Sequence, residues 1–147
     1  MKKILVVAVF LFAVVVTDTF AQTQQQAYSE IPLDAYNIGD QDMLPQVGRC
    51  FQIMNLEKEE ITIVFLKKGA NEITRENILT KYVLRNFMEV NGRSYFRQIN
   101  INDRVSNEYE YSRMTVFPDE SILFTIRHKQ SEPRRDIYIL FKGNAEE

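Results

Sequence analysis

The sequence is short of the residue types that build disulfides, metal sites and catalytic centres. Cys50 is the only cysteine, so no disulfide can form within the chain and stability has to come from packing. His128 is the only histidine, which excludes a site that needs a histidine pair, and no nucleophile elbow frames a serine. We therefore predict that the protein is not an enzyme and that it uses no metal and no cofactor.

Two acidic residues come nearest to a catalytic pattern. Glu108 and Glu110 lie two residues apart, which puts them on one side of a strand at a separation of about 6–7 Å, and glycosidase carboxyl pairs have comparable separations. The simpler interpretation is alternation, with the acids facing water and the rings of Tyr109 and Tyr111 facing inward. His128 is correspondingly predicted to be an exposed or half-exposed residue at a strand end, and Cys50 a small buried hydrophobic residue.

The first residues have the pattern of a secretory signal peptide. Lys2 and Lys3 precede the apolar run 4–16, and Thr19 and Ala21 are small residues at the cleavage position. The run has 13 residues, short of the roughly 20 that a membrane-spanning helix needs. We predict that residues 1–21 are removed and that the protein is secreted, to the extracellular space or the periplasm, with no membrane insertion afterwards.

The charge argues against nucleic acid as a partner. The formal net charge is -2, and loss of residues 1–21, which carry two lysines and one aspartate, moves it to -3. Nucleic-acid binders usually carry a basic face. The short basic pairs Lys67–Lys68 and Arg134–Arg135 stand beside predicted turns, where solvated charges are expected.

The composition divides the rest of the chain into two parts. Residues 22–46 are rich in glutamine and contain Pro32 and Pro45, which predicts a polar, extended lead-in. Over 47–147, strand patterns bounded by turn residues recur about every ten residues, as in a single all-β domain. The predicted fold is all-β, an antiparallel up-and-down meander of about seven to eight strands that forms a small barrel.

Two hairpins are the best-specified local structures. Asn91-Gly92 favours the positive φ angles of a type I′ turn and lies between strands predicted over 83–90 and 95–101. The turn 118–121 begins with proline and contains aspartate, and it lies between strands predicted over 109–117 and 122–128. The remaining strands are predicted to begin at Cys50, to cover 61–66 with both faces buried, and to cover 136–142.

The stretch 74–88 allows two interpretations. Thr74 is a plausible N-cap, and Ile78, Tyr82 and Val83 also fit helical spacing. We predict a short helix or helical turn near 74–81 that passes into a strand. The alternative is a helix over the whole stretch, packed on an open curved sheet.

The start of the first strong strand resembles the first signature motif of the lipocalins. That motif has a glycine, a variable residue, a tryptophan and usually an aromatic residue; Gly48, Arg49 and Phe51 match it, and Cys50 stands in place of the tryptophan. The stretch 136–142 is similar to the last barrel strand of the family, with Lys142 near its basic residue. The resemblance implies a barrel of the lipocalin or broader calycin type that carries a small hydrophobic ligand.

Aromatic residues on neighbouring strands are the candidate ligand-binding residues. A barrel of about eight strands can hold one small ligand, and rings with a few polar groups would suit an apolar molecule with a polar or acidic end. In a filled barrel the same rings are core residues. The predicted site consists of Phe51, Phe65, Phe87, Phe96, Tyr109, Tyr111, Arg113, Phe124 and Tyr138, with Arg97 and Phe141 as further candidates.

Two functions therefore remain open at the level of the sequence. The first is a secreted, non-enzymatic carrier of a small hydrophobic molecule. The second is a secreted module with a filled β core that binds another protein through its surface. They differ in whether the interior of the barrel is open or filled.

Overall fold

One antiparallel sheet contains all the strands that the structure, a computed structural model, describes in residues 28–130 and 135–143. The predicted all-β antiparallel meander is confirmed, whereas the predicted signal peptide, residues 1–21, lies outside the described residues. The eleven strands in this part of the chain are β1 (Ser29–Glu30), β2 (Leu33–Ile38), β3 (Gln41–Asp42), β4 (Val47–Asn55), β5 (Glu60–Lys67), β6 (Ile78–Val90), β7 (Arg93–Ile101), β8 (Arg104–Val105), β9 (Tyr109–Val116), β10 (Ile122–His128) and β11 (Ile137–Phe141).

The N-terminal stretch 29–38 joins the two ends of the meander. From β4 to β7 and on through β9, β10 and β11, each strand pairs with the next. β1 then pairs with β4, and β2 pairs with β11. Between β1 and β2, the Ile31 N–H donates to the Cys50 carbonyl at 3.0 Å, and the Pro32 carbonyl accepts from the Lys142 N–H at 3.0 Å. The sheet therefore curls back on itself into a barrel-like wall.

The sheet begins earlier than the sequence predicted. The segment 22–46, predicted to be a lead-in outside the domain, supplies β1, β2 and β3, and Tyr36 from β2 is buried in the core. The alternation of β2 covers only six residues and is flanked by Pro32 and Gly39, so it resembled an irregular segment. Pairing with β11, about a hundred residues further along the chain, makes it a strand.

The two predicted hairpins are confirmed. β6 and β7 pair across Asn91 and Gly92, whose φ angles of 52° and 78° are both positive, as a type I′ turn requires. β9 and β10 pair across the turn 118–121, in which the Asp119 carboxylate accepts the Ser121 N–H at 2.9 Å. The prediction that 61–66 is buried on both faces is confirmed as well.

The stretch 74–77 forms a single turn. The Thr74 carbonyl accepts the N–H groups of Asn77 and Ile78 at 2.9 and 3.1 Å, and the Thr74 hydroxyl oxygen lies 3.3 Å from the Asn77 nitrogen. β6 begins at Ile78 and pairs with β5. The predicted helical turn leading into a strand is therefore confirmed, whereas a short helix reaching residue 81 and a helix over 74–88 are both wrong, because pairing with β5 satisfies the backbone of this stretch as a strand.

A kink in β6 changes which residues face the core. Asn86 has a φ of 59°, a conformation that asparagine tolerates better than most residues. Leu84 and Phe87 therefore both pack inward although they are three residues apart, and so do their partners on β7, Ile99 and Phe96. The kink places Phe87 where β6 passes from the core to an open groove.

Gly48 allows two strands to approach closely. The register of β4 against β5 shifts between Val47 and Cys50, and a Cβ atom at position 48 would lie 2.5 Å from the carbonyl oxygen of Lys67. Because that oxygen belongs to the backbone, a side chain here would push the two strands apart. The glycine of the lipocalin-like motif thus has a local structural reason in this chain.

Candidate functional site

The predicted ligand-binding residues divide between the two sides of the sheet. Side chains alternate along each strand, so neighbours of core residues face outward. Five of the predicted residues lie in or against the core: Phe65, Phe87, Phe96, Tyr109 and Phe124. The other four alternate with buried residues and lie on the outer side: Phe51, Tyr111, Arg113 and Tyr138. The structure therefore does not bring the nine residues together in one site.

The inward rings pack against one another. Phe65 and Phe96 are 0% exposed and Phe124 is 1% exposed. Phe65 stacks on Tyr36 with ring centroids 4.4 Å apart, and Phe124 meets Phe141 edge to face at 6.0 Å. Such contacts are typical of a filled core. In the middle of the barrel these rings contact protein side chains.

A hydrogen-bonded tyrosine pair lies inside this core. The hydroxyl groups of Tyr36 and Tyr82 are 2.7 Å apart, and Phe65 contacts both rings. Burial raises the pKa of the Tyr82 hydroxyl far above its ordinary value, and the pKa of Tyr36 is raised for the same reason. Sequence reasoning missed the pair because Tyr36 lies in the predicted lead-in and Tyr82 in the ambiguous stretch. Cys50 is buried beside them as predicted, and burial raises the pKa of its thiol.

The tyrosine pair predicts how stability depends on pH. At pH 8, Tyr82→Phe is expected to lower the free energy of unfolding by about 1 kcal/mol, the net value of one hydrogen bond. The raised pKa of folded Tyr82 means that its stabilising effect is present below about pH 10 and is lost above it; at pH 11 the wild type loses about 1.4 kcal/mol through ionisation of Tyr82 in the unfolded chain. The variant should therefore equal or exceed the wild type at pH 11 in urea unfolding. A difference that stays constant from pH 8 to 11 would contradict this.

An open groove lies at the kink in β6. Its volume is about 790 Å³, and the apolar side chains of Phe87, Met88 and Val105 line it together with the cations Lys58 and Arg97. Glu59, Asn86 and Gln98 supply further polar groups. This combination could hold an apolar molecule with an acidic end. Phe87 is the predicted site residue that does line a concave surface.

His128 does not form a catalytic arrangement. It is buried, which corrects the prediction of an exposed strand-end residue, because a register shift between Arg127 and His128 turns its ring inward against Tyr109. Its Nδ1 atom accepts the Gln130 N–H at 3.3 Å, and its own backbone N–H donates to the Asp136 carboxylate at 2.8 Å. Both ends of the residue thus serve the local structure next to a smaller cleft of about 270 Å³.

The same register shift separates the residues of 108–111. Glu108 and Glu110 are exposed, as predicted. Tyr109 pairs with His128 and packs inward, whereas Tyr111 pairs with Arg127 on the outer side. The expectation that both tyrosine rings face inward is therefore wrong for Tyr111, because the extra residue in β9 changes the alternation.

The outer side of four neighbouring strands carries arginine and tyrosine and no acidic residue. The residues alternate with buried ones on β7, β9, β10 and β11. At the centre, Tyr95 pairs with Arg113, Arg113 with Thr125, and Thr125 with Tyr138. We call this surface the arginine–tyrosine face; it consists of Arg93, Tyr95, Arg97, Tyr111, Arg113, Thr115, Leu123, Thr125, Arg127, Tyr138 and Leu140.

The arginines of this face have no acidic partner among the described residues. The ion pairs found there, at 2.6–2.9 Å, join Arg49 to Glu30, Lys81 to Asp103 and Arg85 to Glu60, and all three lie elsewhere. Two acids border the face. Glu110 is exposed beside Tyr111, and Asp136 is buried and accepts the backbone N–H of His128. The guanidinium groups of the face are therefore available to a partner.

No protein-family model, curated protein or solved structure matches this chain. Within the described ranges, no group of three or more His, Cys, Asp or Glu side chains could hold a metal ion. Residues 28–130 and 135–143 also contain no helix with the length and apolar character needed to cross a bilayer. The functional argument therefore rests on the core, the groove and the arginine–tyrosine face.

Proposed function

We propose that the protein is a secreted, non-enzymatic binding module that has a filled β core and contacts its partner through its outer surface. The observation that carries the proposal is the packed interior, where Phe65, Phe96 and Phe124 are at most 1% exposed. A carrier that encloses its ligand needs open space among those rings. A module that binds through its surface does not.

The arginine–tyrosine face is the surface that fits this role best. Tyrosine and arginine are the residue types most enriched in binding hot spots, and here they occupy adjoining positions on consecutive strands. The rings of Tyr95 and Tyr111 contact each other with centroids 5.5 Å apart, which holds them in place before a partner arrives. A rigid sheet also positions side chains more reproducibly than a loop does.

The groove supports a second candidate function, which keeps the small ligand that the lipocalin resemblance implies. Its volume of about 790 Å³ lies within the roughly 300–1,000 Å³ typical of small-molecule sites. Phe87, Met88 and Val105 would contact the apolar part of the ligand, and Lys58 and Arg97 would contact an acidic end. The ligand would then bind at the rim of the barrel instead of in its interior.

Titration of a fluorescent naphthylamine probe and a fluorescent fatty acid into the purified full chain tests these proposals. The groove variant is Val105→Glu, and the matched control is Val90→Glu, because both valines are exposed, at 57% and 42%, and only Val105 lines the groove. The filled-core module predicts no saturable binding by the folded protein. Saturable binding that Val105→Glu weakens at least tenfold, with Val90→Glu unchanged, would establish the groove function. Saturable binding that neither variant affects would show an interior site and contradict the filled-core module.

A further inference from the structure

Charge is segregated on the surface of this protein. The chain has 20 acidic and 18 basic residues, so a random surface would carry both signs in similar numbers. The eleven outward residues of the arginine–tyrosine face nevertheless include four arginines and no acid. Such a concentration of one sign attracts ligands of the opposite sign even when the net charge of the whole protein is slightly negative.

The four arginines form a compact array around Arg113. Arg93 and Arg97 stand two residues to either side of Tyr95, the cross-strand partner of Arg113. Arg127 stands two residues from Thr125, the partner of Arg113 on β10. Diagonal neighbours of this kind lie about 7–8 Å apart. Three arginines therefore surround the central one, close enough to contact successive charged groups of a single extended ligand.

The choice of arginine indicates the kind of anion. All four cations of the face are arginine, although the chain also contains lysine. The planar guanidinium group binds carboxylate, sulfate or phosphate through two parallel hydrogen bonds, which the point charge of lysine cannot do. The array therefore suits a ligand with repeated oxyanion groups.

The tyrosines indicate the part of the ligand between those groups. Tyr95, Tyr111 and Tyr138 are half-buried on the outer side of the sheet, between the arginines. Each ring offers an apolar surface and a hydroxyl tip, which fits a pyranose ring with its apolar C–H face and its hydroxyl groups. Basic clusters of this type are found at sites for nucleic acid or sulfated polysaccharide, and the sequence pI of about 5.6 disfavours nucleic acid.

We propose that the arginine–tyrosine face binds an acidic polysaccharide that carries carboxylate or sulfate groups. The inference rests on the proposed function, because it names the partner of the surface through which the module binds. A polysaccharide is also the kind of polyanion that a secreted protein, as the N-terminal sequence predicts, would encounter.

The test measures binding of the purified full chain by titration calorimetry at about 50 mM salt. The probes are heparin oligosaccharides, polygalacturonate, neutral dextran and a single-stranded oligonucleotide of similar charge. The variant is Arg93→Gln/Arg127→Gln, in which both residues are exposed and neither lines the groove. The matched control is Arg75→Gln/Arg104→Gln, which removes the same charge from two exposed residues outside the face.

We expect heparin or polygalacturonate to bind more tightly than the oligonucleotide, with no binding of dextran, and the affinity to fall as salt screens the charges. The face variant should lose at least tenfold in affinity and the control less than twofold. The inference is wrong if neither acidic polysaccharide binds, if the oligonucleotide binds as tightly, or if both double variants lose affinity equally. These results are separate from the probe titration, in which only an interior site would remove the proposed function itself.

Discussion

A chain that lacks residues 29–38 is expected to show no cooperative unfolding transition. Those residues form β1 and β2, which pair with β4 and β11 and so connect the two ends of the meander. Their removal would leave both of these strands with an unpaired edge and would remove the buried ring of Tyr36 from the core. The loss should exceed the roughly 5–15 kcal/mol that stabilises a typical domain.

Circular dichroism during urea titration measures this effect, and size-exclusion chromatography reports the aggregation expected from exposed strand edges. The control replaces Gln41 and Asp42 with alanine, because these two residues form the short outermost strand β3 and are exposed. The control should unfold cooperatively with stability close to that of the wild type. A cooperatively folded protein without residues 29–38 would show that the domain begins at residue 47 after all.

The substitution Phe65→Ala is expected to lower the free energy of unfolding by about 3–5 kcal/mol. Phe65 is fully buried, stacks on Tyr36 and meets Tyr82 edge to face at 6.0 Å, so its removal leaves a cavity among large rings that cannot easily close. Urea unfolding of the variant and the wild type provides the measurement. The matched control is Phe117→Ala, since Phe117 is 39% exposed and its truncation should cost less than about 1 kcal/mol.

The result for Phe65 also bears on function. A loss below about 1.5 kcal/mol would mean that the interior is loosely packed, and the space for an enclosed ligand would then have to be reconsidered. A loss in the expected range supports binding at the outer surface or the groove, because the rings would then be needed for stability where they are.

Several elements could be predicted from the sequence because nearby residues specify them. Asn91-Gly92 accepts positive φ at both positions, which fixes the β6–β7 turn. Thr74 forms its hydrogen bonds within four residues. The run 61–66 is continuously β-branched or apolar, and it is buried on both faces. In each case the physical cause acts over a few residues, so the pattern remains readable without the rest of the chain.

The side of the sheet on which a residue lies was predicted less well. Strict alternation was assumed, but Asn86 interrupts it in β6 and a register shift interrupts it at Arg127 and His128. A change of one residue moves every following side chain to the opposite face. For this reason the predicted site combined core rings such as Phe65 with outer residues such as Arg113.

The sequence by itself determined the all-β class, the hairpins and the lack of a disulfide, since these follow from composition and from neighbours along the chain. Only the tertiary structure decided that the stretch 29–38 joins the meander at both ends, that the rings fill the interior, and that four arginines meet on one outer surface. Those features depend on pairings between residues far apart in the chain, such as Tyr95 with Arg113 and Ile38 with Ile137. Alternation along one strand fixes how its side chains are spaced, but it does not say which strand lies beside it.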